Sequence, residues 1–354
     1  MLAQRVIVLS PDKAIGKQLA LAVKVAGAAV EHLTSRSELG TGSLEAALVV
    51  MHLDGTLAGA GPELLARLTG ATQAIAILPR ADLAAVVAIM RASERVAGIL
   101  VAADLVPAEL AALATRVLDG EVFGLAKVVP WGTQIHTALV GSYDDKAQCI
   151  AQVSAFAEEM GVRRKYRESI DTCLDEMLMN ALYDAPVDAH GQPLFPDVAT
   201  RTQAVLAPEH RAVVQYACDG KQFAIAVRDA FGRLERGTVL RYLHKCLYEE
   251  QQIDKKAGGA GLGLYLMTSS SSTVMFNVQP RVATEALCTF DLQAPKLELE
   301  TFGFFTERSA QPAASVPTPV VAAPAAGSQA LLLSVLVGAI MATLALIAIV
   351  LSKR

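Results

Sequence analysis

The chain has no basic run, no C-x-x-C pair and few aromatic residues. Its 354 residues carry 31 Lys and Arg against 35 Asp and Glu, a formal charge of −4. The positive charges are scattered, so nothing points to a nucleic-acid partner. Its five cysteines, Cys149, Cys173, Cys218, Cys246 and Cys288, are odd in number and far apart in sequence. That pattern argues against a disulfide framework or a zinc site and for reduced thiols in the cytosol. Aromatics make up 5 % of a composition that is 53 % hydrophobic, with Ala and Leu dominant, as in a helix-rich α/β protein. The opening "MLAQRVIVLS" lacks a basic leader and a small-residue cleavage site. It reads as a strand, not as a secretory signal.

Charge is also missing from "ALLLSVLVGAIMATLALIAIVL", Ala330–Leu351, a run of 22 residues. At about 1.5 Å per residue it is about 33 Å long as a helix, enough to cross a bilayer core. Ser334, Gly338 and Ala342 fall every four residues along it. Small residues at that spacing allow two such helices to pack as a homodimer. The preceding "SAQPAASVPTPVVAAPAAGSQ", residues 309–329, has no charge and is rich in Ala and Pro, so it reads as an extended tether. The expectation is a single C-terminal membrane anchor in a bacterial inner membrane, with the domains before it in the cytoplasm. Only Ser352, Lys353 and Arg354 follow, and the positive-inside rule opposes that orientation mildly.

The first third is a series of short apolar runs: "RVIVLS" (5–10), "AALVVMHL" (46–53), "AIAILP" (74–79) and "VAGILVA" (96–102). Amphipathic stretches separate them. Apolar runs of this length suit strands buried on both faces, and the alternation with helices predicts a doubly wound parallel sheet over residues 1–125. This region resembles a response-regulator receiver domain, a flavodoxin-like fold. The resemblance implies an acidic pair after the first strand, an accepting Asp after the third and a Lys after the fifth. The chain offers Asp12 alone at the first place, His52 with Asp54 two residues later at the second, and Ala102 at the third. Without those groups the region reads as a pseudo-receiver used for docking.

The stretch "CLDEMLMNALYDA", 173–185, places Ile170, Cys173, Leu174, Met177, Leu178, Ala181 and Leu182 on one apolar stripe of a helix. Glu176, Asn180 and Asp184, four apart, line its margin. Downstream, Asp219-Gly220 joins two apolar runs as a hairpin, and the second run ends on Asp229 in "DAFGR". "KKAGGAGLGLYLM", 255–267, then sets glycines ahead of an apolar helix, where backbone N–H groups can approach phosphate oxygens.

In that order these pieces resemble the GHKL ATPase family, an α/β sandwich, over residues 134–300. Glu176 and Asn180 match its N box. Asp229 and Gly232 lie in a first glycine box whose usual glycine positions hold Phe231 and Arg233. Gly259, Gly261, Leu262 and Gly263 match the second. The resemblance implies ATP and Mg²⁺ as cofactors, Glu176 as general base, Asn180 as the metal ligand, and Asp229 with the glycines and Leu262 as the nucleotide contacts. A short helix leading through Met160-Gly161-Val162 into the N-box helix is closest to the anti-sigma-factor serine kinases. His136 lacks the surroundings of a phospho-accepting histidine, which sets a histidine kinase lowest. The expected function is therefore an ATP-binding signalling protein acting on a protein partner, as a serine kinase or partner switch. The alternative is a non-catalytic module in which ATP occupancy, or no nucleotide at all, sets affinity for that partner.

Overall fold

The computed structural model describes residues 4–80, 82–101, 107–196, 202–248 and 262–307. The apolar runs of the first third form β1 (Arg5–Leu9), β3 (Leu48–His52), β4 (Gln73–Leu78) and β5 (Val96–Val101). All four run parallel in the order β1-β3-β4-β5. Their side chains alternate between two buried faces. Val6, Val8, Leu48 and Val50 belong to one core, and Ile7, Leu9, Val49 and Met51 to the other. Each such side chain contributes about 1.5–3 kcal/mol on burial. The half-exposed edge strand β2 (Ala29–Leu33) pairs with β1. Helices α1 (Lys13–Lys24) and α4 (Pro107–Asp119) pack into the Val6/Val8 core, while α2 (Gly61–Ala66) and α3 (Leu83–Ala92) pack into the other. Asp12 and Asp82 cap α1 and α3 by accepting backbone N–H groups of the first turn.

The second half begins with β6 (His136–Val140), then α5 (Tyr143–Glu159) and α6 (Arg164–Met179). Gly161, at φ +74°, makes the turn between the two helices. A hairpin follows, β7 (Ala212–Cys218) and β8 (Gln222–Asp229), turning at Asp219-Gly220 with Gly220 at φ +87°. Next come α7 (Arg236–Tyr248), α8 (Leu262–Ser270), β9 (Thr273–Gln279), β10 (Ala283–Asp291) and β11 (Thr301–Thr306).

The two halves do not carry separate sheets, which corrects the expected architecture of a parallel sheet followed by an independent sandwich. One mixed sheet of eleven strands runs in the order β2-β1-β3-β4-β5-β11-β9-β10-β8-β7-β6. Strand β11 joins them: it pairs antiparallel with β5, Thr301 opposite Leu100 and Gly303 opposite Gly98, and parallel with β9. All described residues lie within one unit covering 1–316. Residues 121–135, between the halves in sequence, cover the back of the second half's strands. Val122 and Leu125 are buried there in the same core as Ala217, Ala226, Met275 and Leu287.

The expected C-terminal membrane helix has no counterpart among the described residues. Among the described residues no helix is long and apolar enough to cross a membrane. The tether 309–329 and the run Ala330–Leu351, with Ser334, Gly338 and Ala342, lie outside the described residues.

Candidate functional site

Helix α6 is held by its buried stripe Ile170, Cys173, Leu174, Met177 and Leu178. That packing leaves Glu176 half-buried on the side facing α8. A Cβ built on Gly263 would come within 2.7 Å of the Glu176 carboxyl carbon, a separation real side chains do not adopt. The absent side chain of Gly263 thus makes room for the Glu176 carboxylate at the N-terminal end of α8. The Glu176 pKa is raised, first by burial, then by the Asp175 carboxylate, with Asp184 adding to the rise; Lys146 opposes it. A half-buried carboxylate raised in this way is a stronger base than a solvated one.

Lys146 belongs to none of the sequence motifs. It lies on the buried face of α5 with Cys149, Val153 and Ala157, and its Nζ is 2.6 Å from Asp175 Oδ1. The signal was available in its spacing: a lysine on a helix's apolar stripe needs an acidic partner nearby.

Beyond Met179 the backbone widens into a π-helical turn, Asn180–Asp184, closed by Ala185 N–H donating to Asn180 O at 2.8 Å. The four-residue spacing read as a straight ledge is therefore broken at Asn180. Asn180 and Asp184 are exposed while Glu176 is half-buried. Single π-helical turns often occur at functional sites.

Asp229 ends β8, only 7 % exposed. Its Oδ1 accepts the N–H groups of Phe231 at 2.8 Å and Gly232 at 3.2 Å. Burial pushes its pKa up to about 6, against hydrogen bonds from Phe231, Gly232 and Thr284, which lower it. Gly232 has φ +61°, and a Cβ there would meet the backbone N atoms of Val282 and Arg281 at 2.6 and 2.7 Å. This glycine lets the Asp229 turn seat against the β9–β10 hairpin. Phe231 is buried with its ring 5.2 Å from that of His210. Arg233 donates to Gly191 O at 3.2 Å. Leu262 is exposed at the start of α8; Gly259 and Gly261 lie outside the described residues. The structure thus brings Glu176 and Gly263 together, with Asp229 at the end of a strand that packs against α6.

Two other candidates have structural surroundings. His136 stacks on Tyr216, centroids 5.1 Å apart, and lies beside Phe156. In the first half, Asp12 is spent on capping α1 and Asp54 caps the short turn 55–57. Ser10 Oγ donates to Asp12 O at 3.0 Å and lies 3.0 Å from His52 Nδ1. With the Ser10 proton used on that carbonyl, Nδ1 of the buried His52 is the donor. Burial lowers the His52 pKa. Ala102 lies outside the described residues, and among the described residues no group of three or more His, Cys, Asp or Glu side chains could hold a metal.

No protein-family model matches the chain, and no curated protein matches it. Among solved structures, the response regulator DrrB, a Thermotoga maritima OmpR/PhoB homolog, is similar at 18 % identity and a TM-score of 0.30, over 37 % of this chain and 58 % of that one. The BeF3-activated DrrB receiver domain is similar at 16 % identity and a TM-score of 0.28, over 33 % of this chain and 99 % of that one. A chain of the SiaB–SiaC complex from Pseudomonas aeruginosa is similar at 14 % identity and a TM-score of 0.28, over 44 % of this chain and 88 % of that one. At these identities and scores no activity is taken from the likenesses.

Proposed function

We propose that the second half binds ATP with Mg²⁺ and that the chain is a signalling protein acting on a protein partner. The observation carrying this reading is the fit of Glu176 against Gly263, which sets the acid of the N-box-like helix beside the helix that follows the glycine-rich stretch. The buried Asp229 carboxylate at the end of β8 supports it, since a carboxylate held by two N–H groups is a fixed acceptor for an adenine amino group. In this reading Asp229 holds the base, and the backbone around Gly259, Gly261, Leu262 and Gly263 holds phosphate. Asn180 offers a neutral oxygen to Mg²⁺, which would neutralise phosphate charge. Glu176 takes the proton from an attacking serine hydroxyl of the partner. Gly232 supports the site by seating the Asp229 turn.

One feature favours the non-catalytic alternative. Phe231 is buried and Arg233 is tied to Gly191 O where the family has glycines, so the wall beside Asp229 is filled with side chains. Isothermal titration of the full chain with Mg-ATP, followed by a search for γ-phosphate transfer to a co-purifying protein, separates the readings. Binding and transfer, with transfer lost and binding kept in Glu176→Ala, establishes the kinase. Binding without transfer establishes the nucleotide-gated module. Absence of binding removes both and leaves a partner-binding module that uses no nucleotide.

A further inference from the structure

The back of the sheet carries a buried polar group that the nucleotide site does not use. Arg116, on α4, is 1 % exposed. Its Nε donates weakly to Val122 O at 3.4 Å, and neither Nη1 nor Nη2 meets a protein acceptor among the described residues. Arg116 lines a cavity of about 20 Å³ together with Gln73 of β4, Ala97 of β5, Val122, and Phe305 and Thr306 of β11. Roughly 10–15 Å³ suffices for one water-sized particle, so the cavity has room for a single small ion or molecule. Its walls come from both halves of the chain at the seam where β5 meets β11.

Charge balance decides what would sit there. Arg116 and Arg228 both act electrostatically on Glu285. Glu285 is 2 % exposed, and its carboxylate already accepts Asn277 Nδ2 at 2.8 Å and the Gly124 N–H at 3.1 Å. Arg228 lies over the Phe123 ring at 4.5 Å. Two guanidinium groups, the buried Arg116 and the half-buried Arg228, thus face one carboxylate. Arginine stays charged in proteins even when buried, and a buried cation with open donors is costly unless it is paired.

We propose that the Arg116 cavity is a binding site for one small monovalent anion of halide size, held by the two Nη groups, and that this anion braces the seam between the two halves of the sheet. The ion would supply a negative charge and accept the guanidinium donors that no carbonyl reaches. Because α4, β4, β5 and β11 all contribute to the walls, its binding favours the joined sheet over the separated halves.

The test uses the full chain and bromide. Crystals grown in sodium bromide should give an anomalous peak within hydrogen-bond reach of the Arg116 Nη atoms. Thermal unfolding at constant ionic strength should shift upward by roughly 2–4 °C when gluconate is replaced by bromide or chloride. Arg116→Met should abolish that halide-specific shift. Should that variant not fold, Arg116→Lys serves, with a weakened shift expected because one ammonium replaces the two Nη groups. The wild-type anomalous map stands independently of either variant. A water at that position, a bromide found only elsewhere, or equal melting in gluconate and halide overturns the proposal.

Discussion

The Glu176 carboxylate occupies the space beside the Gly263 Cα that any larger residue would need. Gly263→Ala should therefore displace Glu176, costing about 1–3 kcal/mol by overpacking. The same substitution in a Glu176→Ala background should cost clearly less, because the colliding group is gone. Urea unfolding of the four proteins gives the coupling. Additive costs would mean that the two residues are not in contact.

Asp229 should separate affinity from stability. Asp229→Asn keeps an oxygen for the Phe231 and Gly232 N–H groups but removes a charge that is almost fully desolvated. We expect ATP binding weaker by about 1–3 kcal/mol and, at pH 8, stability no lower than wild type. Equal ATP affinity for the two proteins would remove Asp229 from the proposed nucleotide site. Lower stability at pH 8 would show that the turn needs the charge.

Strands buried on both faces were legible as unbroken apolar runs, which is why β1, β3, β4 and β5 could be read directly. Strand β2 was not: its half-exposed edge position leaves AVEHL with no apolar run. The joining of the halves was also illegible. β11 lies beyond the expected boundary at residue 300, and its pairing with β5 links positions about two hundred residues apart in sequence, a relation that no local pattern encodes. At the candidate site, the spacing of Glu176 and Asn180 was visible. The π-helical turn that sets their exposures apart was not, because an inserted backbone widening leaves no mark in residue type. Lys146 was visible in principle. Its partner Asp175 precedes Glu176, where the motif drew attention to the neighbour instead.

Arg236 ties the two halves together at the start of α7. Its guanidinium donates to Val96 O at 2.5 Å, Met90 O at 2.7 Å and Ser93 O at 3.1 Å, all around the α3–β5 turn. Arg236→Met would leave these carbonyls without their charged donor, at a cost of about 2–4 kcal/mol. Arg236→Lys should recover part of that, since one ammonium cannot reach all three acceptors. Hydrogen exchange should show the loss as faster opening in both α7 and β5. A change confined to α7 would mean that the contact does not couple the halves.

Glu109 predicts how stability depends on pH. It sits in the first turn of α4, where burial above all, then the carboxylates of Glu300 and Asp291, raise its pKa from 4.5 to about 7. The folded chain thus keeps a proton that the unfolded chain releases near pH 4.5. Between those values the folded state binds more protons, so stability falls as pH rises. The contribution is full below the unfolded value and is lost as pH passes through about 7. Asp229 acts in the same direction, from 3.8 to about 6, so the wild-type curve alone cannot isolate Glu109. The comparison that does is Glu109→Gln, which keeps the shape of the side chain and cannot ionise. At pH 5 the variant and wild type should be close in stability. From pH 5 to pH 8 the variant should gain about 2–3 kcal/mol on wild type, because each tenfold difference in proton affinity between the folded and unfolded chain is worth roughly 1.4 kcal/mol. Urea unfolding at both pH values checks this. An offset of the same size at both would show that Glu109 does not titrate between them and that its carboxyl is solvated in the folded chain.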